Sequence, residues 1–359
     1  MTIETKYWPA ERTRAGIDEA AAALAAGGVV AFPTETVYGL GGDAGNTEAV
    51  RKIFEAKGRP SDNPLIVHLA RGEDVRRLAR SVNAVEEALM KAFWPGPLTL
   101  VLPVKEGAVS PLVTAGLDTV GVRVPANETA RELIARSGVP IAAPSANRSG
   151  RPSPTRAEHV LEDLDGRIDG VLDGGATGVG LESTVVRVMD GEIHILRPGG
   201  VTREQLRLAA EGLARVAGEA AGPRAGESGE AGAEEAPRSP GVKYAHYAPK
   251  GEMVLVTGAE ERMVAAVREQ AREAAGRGAR VAVLACSEHV RFYEADSVFD
   301  CGPRSAPEKA ARALYARLRE CDERGIDYIV AEGYPEEGIG AALMNRLRKA
   351  AGGREIDAG

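Results

Sequence analysis

The sequence predicts an α/β protein built as two domains, a mixed sheet interleaved with helices followed by a smaller doubly wound domain. Three observations carry that prediction. The chain has 359 residues, too many for one ordinary hydrophobic core. Short apolar runs alternate with helix-period stretches, irregularly at first and regularly in the last third. Between the two regimes, residues 212–239 shift to Ala, Gly, Pro and Glu, with no large apolar residue between Val216 and Val242.

The elements follow in order. A helix is expected over 14–26, ending at Gly27-Gly28, where a glycine C-cap is favoured. A short buried strand covers 29–32. A second helix spans 47–57, with Asn46 or Thr47 as N-cap and Gly58 as C-cap. Strand-like runs lie at 65–69, 98–102, 120–124, 141–143, 170–172, 184–188 and 193–196, interrupted by helices at 84–92 and 129–136. Strands mixed with helices in this way point to a mixed sheet rather than a strict βαβ repeat.

Residues 212–249 read as a flexible linker, because a segment of this composition buries too little to offset its ordering entropy. It ends in Ser239-Pro240-Gly241-Val242-Lys243-Tyr244-Ala245-His246-Tyr247-Ala248-Pro249. Tyr244, His246 and Tyr247 at the end of such a tether are more than filler. Beyond it, strands at 253–256, 281–284 and 326–331 alternate with helices at 260–275, 307–324 and 341–351. That order predicts a small doubly wound, Rossmann-like domain over 250–359. It lacks a G-x-G-x-x-G turn after its first strand. Gly333, Gly338 and Gly340 precede a helix, a pattern that marks a turn more often than an anion site.

Composition excludes several classes. Aromatic residues are only 4% of the chain, so its cores are built from Ala, Val, Leu and Ile. Residues 1–211 carry 24 Lys and Arg against 28 Asp and Glu, and the remainder 21 against 24, so neither part has the basic excess of a dedicated nucleic-acid binder. Any polyanion site is therefore a local cluster. Cys286, Cys301 and Cys321 are odd in number and lack C-x-x-C spacing, which argues against a disulfide framework and against zinc. No signal peptide or membrane-spanning run is legible, so a soluble, cytoplasmic protein is expected.

Two short motifs carry the chemistry. Lys57-Gly58-Arg59 sets two cations at i, i+2 just after a helix, and Pro60-Ser61-Asp62-Asn63-Pro64 holds the following loop rigid with an amide beside them. Ser145-Ala146-Asn147 follows a buried strand, at the end where open α/β sheets bind ligands. Together they suggest an ATP-using site without a Walker loop. Gly39-Leu40-Gly41-Gly42-Asp43-Ala44 loosely matches a dinucleotide fingerprint. It lacks the acidic residue after a following strand, so nicotinamide binding is rejected. His68 and Arg123 each interrupt an apolar strand. A charge there is costly unless paired, so Arg123 either meets a buried carboxylate or binds an anion. Glu182-Ser183-Thr184 and Arg197-Pro198-Gly199 repeat the pattern of polar groups at strand ends.

With Pro33-Thr34-Glu35-Thr36-Val37-Tyr38-Gly39-Leu40 and Trp94-Pro95-Gly96-Pro97-Leu98-Thr99 added, the chain closely resembles the L-threonylcarbamoyladenylate synthase family in its longer two-domain form. The resemblance covers nearly the whole chain. It implies a YrdC-like domain over about 8–211, the linker motif, and a C-terminal domain of open role.

The resemblance also implies an activity. Bicarbonate or carbon dioxide carboxylates the amine of L-threonine, and the carbamate attacks the α-phosphate of ATP. Pyrophosphate leaves, giving threonylcarbamoyl-AMP for a separate transferase that modifies tRNA. By position, Lys57 and Arg59 are the expected catalytic cations. Arg59, Asn63, Thr119, Ser145, Asn147, Ser153 and Arg197 form the expected ATP set. Thr36, Tyr38, His68, Arg123, the backbone of Ala143, and Ser183 form the expected threonine set. Tyr244, His246 and Tyr247 are expected to form a lid that shields the labile carbamate from water. Mg2+ is expected with the triphosphate, and no separate metal site. The rivals are a tRNA-gripping module, disfavoured by the acidic first domain, and a carbamoyl-adenylate step of the kind in hydrogenase-maturation carbamoyltransferases, whose cysteine-rich motifs are absent.

Overall fold

In the computed structural model, residues 3–10, 13–217 and 247–359 are described. They form two compact units, the first holding most of residues up to 217 and the second the rest; the short segments 150–153 and 179–181 group with the second.

The first unit opens with β1 (Lys6–Trp8) and α1 (Thr13–Ala25), then the hairpin β2 (Val30–Phe32) and β3 (Gly39–Asp43). α2 (Thr47–Lys57) follows, capped as its sequence implies. The Asn46 side chain accepts from the Glu48 and Ala49 amides, and Gly58 takes the left-handed conformation at φ 62°. Next come β4 (Ile66–His68), α3 (Ala84–Phe93), β5 (Leu98–Pro103), α4 (Pro111–Thr114), β6 (Thr119–Arg123), α5 (Glu128–Ser137) and β7 (Ile141–Ala142). α6 (Ala157–Leu164), β8 (Gly170–Leu172), β9 (Thr184–Met189), β10 (Glu192–Arg197), α7 (Arg203–Ala209) and β11 (Arg215–Val216) complete it.

These strands form one mixed sheet in the order β1-β8-β2-β3-β7-β4-β6-β5-β9-β10-β11. β4 is central, parallel to β6 and antiparallel to β7, so His68 pairs with Arg123 on one side and with Ile141 on the other. This register brings the polar strand ends together. The glycine-rich residues that loosely match a dinucleotide fingerprint form the strand β3. A Cβ on Gly41 would sit 2.7 Å from the Phe32 ring and 2.8 Å from Ile141, so glycine is what admits this packing.

Strand pairing in the first unit extends beyond residues 8–211 at both ends. Lys6 already pairs with Gly170, before residue 8. At the other end Arg215 and Val216 pair with β10, inside the stretch assigned to the linker. Residues 218–246 lie outside the described residues, and with them Tyr244 and His246 of the expected lid. Tyr247 is described within the second unit, stacked on Tyr315 at 5.3 Å with Arg346 over its ring.

The second unit contains β12 (Glu252–Thr257), α8 (Glu260–Gly276), β13 (Val281–Ala285), β14 (Ser297–Asp300), α9 (Pro307–Glu323), β15 (Tyr328–Glu332), α10 (Gly340–Ala350) and β16 (Glu355–Asp357). Its sheet is wholly parallel, ordered β14-β13-β15-β12-β16. Val254, Val256, Val281, Val283 and Val330 pack with Met263, Val267 and Ala271 of α8. Their neighbours Leu255, Leu284 and Ile329 are equally buried on the other face, and α9 packs against α10. Apolar residues at every strand position are what a sheet covered on both sides requires. The expected mixed sheet and doubly wound second domain are therefore both present. Among the described residues, no helix is long and apolar enough to cross a membrane.

Candidate active site

α2 delivers Lys57 at its last turn, where the amphipathic face that buries Ile53 and Phe54 also buries the lysine. Its Nζ donates to the Ser145 and Asn147 carbonyls, both at 2.6 Å. An ammonium has three donors, so two are spent holding this loop. Burial, then the neighbouring Arg59 charge, push the Lys57 pKa well below its ordinary value, while Asp163 opposes them. The loop is tied from its other side as well. The Leu40 amide donates to the Pro144 carbonyl and the Ala146 amide to the Tyr38 carbonyl, both at 2.8 Å.

Arg59 leans over the Phe54 ring and donates to the Asn63 carbonyl at 3.1 Å. Asn63 is fully buried, and neither atom of its side-chain amide has a hydrogen-bond partner among the described residues. A buried amide left without partners carries a desolvation cost of about 1–3 kcal/mol. An orphaned amide beside an arginine is what a polar ligand would complete.

The second cluster sits where β4 and β6 end. Arg123, 3% exposed, donates from Nε to the Gly96 carbonyl at 3.2 Å and from Nη1 to Thr36 Oγ1 at 2.9 Å. Its Nη2 forms an ion pair with Glu35 at 2.6 Å, although neither atom of that pair is aligned for a hydrogen bond. The carboxylate expected as one alternative for Arg123 is therefore Glu35, which sequence reasoning did not place in the site. Its signal was its position within the quoted 33–40 motif. Thr34 was missed too. Its hydroxyl donates to the Val37 carbonyl at 2.6 Å and accepts from the Thr36 and Val37 amides, fixing the loop that presents Thr36.

His68 lies beside Arg123 in the sheet, edge-on to Phe32, with Nδ1 3.2 Å from the Ile66 carbonyl. Burial, with the Arg123 charge second, lowers its pKa to about 3, so the ring is neutral at pH 7. Ala143 follows β7, and its amide donates to the Ile66 carbonyl at 2.9 Å.

A third group lies at the start of β9. The Ser183 carbonyl accepts from Arg197 Nε at 3.1 Å and Nη2 at 3.0 Å, and its hydroxyl pairs with Thr99 at 2.8 Å. Arg197 thereby fixes Ser183. Thr119 opens β6, opposite Pro103, and is buried.

Tyr38 and Ser153, also expected at the site, are both buried. The Tyr38 ring is fully buried in the core. Its hydroxyl donates to the Gly175 carbonyl at 2.8 Å and accepts from the Gly174 amide at 3.1 Å, so it is committed to the 173–175 loop. Burial raises its pKa. Ser153, also fully buried, groups with the second unit. There the adjacent Pro152 carbonyl accepts from Arg319 at 2.7 Å.

The arrangement offers immobilised cations, hydroxyls and an unpartnered amide at strand ends, with a neutral imidazole. That is equipment for binding and polarising anions rather than for nucleophilic attack. Comparison with known proteins agrees. A family model described as "Telomere recombination" matches residues 22–199, and one described as "Threonylcarbamoyl-AMP synthase, C-terminal domain" matches residues 201–352. The chain is 51% identical to a threonylcarbamoyl-AMP synthase of Bacillus subtilis, across 95% of this chain and 94% of that one. It is 46% identical to the threonylcarbamoyl-AMP synthase of Pyrococcus abyssi, across 94% of each. The crystal structure of Pyrococcus abyssi Sua5 complexed with L-threonine matches with a TM-score of 0.87 at 44% identity, covering 99% of each chain.

Proposed function

We infer that this chain, which belongs to the threonylcarbamoyl-AMP synthase family, makes threonylcarbamoyl-AMP from ATP and L-threonine for the threonylcarbamoyladenosine modification of tRNA. The observation that carries the reading is Arg123. A buried guanidinium, held by Gly96 and Thr36 and paired off-line with Glu35, stands beside a neutral histidine. An amino-acid carboxylate suits the guanidinium, which can engage it in a bidentate way. A threonine hydroxyl suits the imidazole.

Bicarbonate or carbon dioxide supplies the carboxyl group that joins the threonine nitrogen. The carbamate oxygen then attacks the α-phosphorus of ATP as the bond to pyrophosphate breaks. Such a step needs positioning and charge stabilisation more than a protein nucleophile. Lys57 contributes by fixing the Ser145–Asn147 loop, and Arg59 with Asn63 by meeting the nucleotide. Mg2+ arrives as the counter-ion of the triphosphate. The product passes to a separate transferase that acts on tRNA. Discrimination against serine rests on one methyl group, worth about 1–3 kcal/mol, whereas valine, lacking the hydroxyl, is rejected more strongly.

The test is pyrophosphate release from ATP, with L-threonine and bicarbonate added separately and together. Release is expected only with both, and is expected to be lost in Arg123→Ala. Release indifferent to threonine would overturn the substrate assignment.

A further inference from the structure

The second unit holds a polar cluster that the synthase chemistry does not use. Cys286 follows the last residue of β13, and Glu332 is the last residue of β15. The two strands are neighbours in parallel register, Leu284 opposite Ala331, so their ends bring thiol and carboxylate together. His289 follows one turn after Cys286. All three side chains are buried, and their ligating atoms lie within 4.8 Å of one another.

The contacts converge on one ring nitrogen. His289 Nδ1 is 3.2 Å from Cys286 Sγ and 2.8 Å from Glu332 Oε1. A single imidazole position carries at most one proton, so it cannot serve both partners at full strength. The other ring nitrogen, Nε2, faces Glu260 Oε1 at 3.3 Å. Glu332 is itself held by the Cys286 amide, 2.7 Å from Oε2, and by the Tyr293 hydroxyl on Oε1. A histidine with one nitrogen aimed into a ligand cluster and the other held by a carboxylate is the usual arrangement at a metal.

The main alternative is a thiol–imidazole–carboxylate nucleophile. Cys286 is fully buried, sealed from any substrate. A thiol in that setting is a poor nucleophile. A cation suits the same group, because it binds the thiolate and neutralises it together with the carboxylate. The sequence argument against zinc looked for paired cysteines and did not weigh Cys-x-x-His with a distant glutamate.

We propose that Cys286, His289 and Glu332 form a binding site for one divalent cation of the zinc class, with His289 Nδ1 as ligand, Glu260 orienting the ring, and Tyr293 holding the carboxylate. One sulfur, one nitrogen and one carboxylate oxygen suit a borderline-soft ion in tetrahedral geometry, with water in the fourth position. Binding releases the thiol proton to solvent. The cation joins the ends of β13 and β15 to the turn after β13.

The test uses the full chain, stripped with a chelator and titrated with Co2+ as the probe. One Co2+ per chain is expected, with a thiolate-to-cobalt charge-transfer band in the near ultraviolet that Zn2+ displaces. Cys286→Ser should abolish the band, while Cys301→Ser and Cys321→Ser keep it. Glu260→Gln should keep the band but weaken Co2+ affinity by about 10–100-fold, as loss of an orienting carboxylate does. No band, or a band that survives Cys286→Ser, overturns the proposal. Where that variant fails to fold, X-ray absorption on the zinc-loaded natural chain decides. One sulfur scatterer supports the site, and a shell of only nitrogen and oxygen overturns it.

Discussion

Glu35 and Arg123 stand 2.6 Å apart at the C-terminal end of β6, charge against charge but out of hydrogen-bonding line. The pair neutralises a guanidinium that is otherwise nearly sealed from water, and breaking a buried pair one-sidedly is strongly destabilising. Because the alignment is poor, Nη2 retains capacity for a better-placed carboxylate. On the proposed reading Glu35 holds Arg123 in readiness and competes weakly with the substrate carboxylate. Glu35→Gln should lower the thermal midpoint of the free protein, by about 1–3 kcal/mol of stability. Saturating L-threonine should restore more of that midpoint than it adds to the natural chain. Equal threonine-induced shifts in the two proteins would show that Glu35 and substrate do not share the guanidinium.

Arg123→Lys tests the fork itself. Lysine keeps the charge but cannot reach Gly96, Thr36 and Glu35 together, nor grip a carboxylate in a bidentate way. The KM for threonine should rise by about 10–100-fold, corresponding to about 1.4–2.7 kcal/mol, with a smaller change in the KM for ATP. Steady-state pyrophosphate release against each substrate separates the two. Equal rises would mean that the cluster supports both sites indiscriminately.

How much of this was legible from residues alone differs by element. α2 was readable to the residue because its Asn46 and Gly58 caps are local signals. β3 was not, since glycines at 39, 41 and 42 look like a loop until Phe32 is seen packing across them. β14 and β16 are short edge strands of the second sheet, with too little pattern to find. At the site, the motifs single out Lys57, Arg123 and Ser145 but not what they touch. Lys57 meets main-chain carbonyls, and carbonyls leave no trace in sequence. Tyr38 was grouped with the threonine pocket because it belongs to the same motif as Thr36. Its hydroxyl is bonded to the 173–175 loop.

That placement gives Tyr38→Phe a distinct outcome. Removing the hydroxyl leaves the Gly174 amide and the Gly175 carbonyl without this partner. Stability should fall by about 1–3 kcal/mol, while the KM for threonine changes by less than about threefold, under 0.7 kcal/mol. Urea unfolding alongside kinetics checks it. A large KM effect without destabilisation would return Tyr38 to the substrate pocket.

His68 sets an acid limb on stability. Its folded pKa is about 3 against 6.5 for an ordinary histidine. Between those values the unfolded chain binds a proton that the folded chain refuses. Stability is therefore fully present above pH 6.5 and is lost as pH falls toward 3. His68→Asn removes the titration, so the slope of unfolding free energy against pH over this window should be shallower by up to one proton. Parallel slopes in urea titrations at several pH values would show that His68 is not held neutral.

Asn63 offers the sharpest separation of stability from function. Its amide is fully buried with no hydrogen-bond partner among the described residues, while its carbonyl is gripped by Arg59. The free protein thus carries a desolvated polar group that contributes nothing to folding. Leucine has nearly the same volume and no polar atoms, and replacing an unpartnered polar group by an apolar one of similar shape is neutral or stabilising. The main-chain contact to Arg59 survives the change. Asn63→Leu should therefore raise the thermal midpoint of the free protein or leave it unchanged, by about 0–2 kcal/mol of stability. It should also raise the KM for ATP by about tenfold or more, because the nucleotide loses the amide that waits for it. A residue kept only for structure would do the reverse, losing stability and sparing ATP. Differential scanning fluorimetry with and without ATP, read beside pyrophosphate release, distinguishes the two outcomes in one preparation.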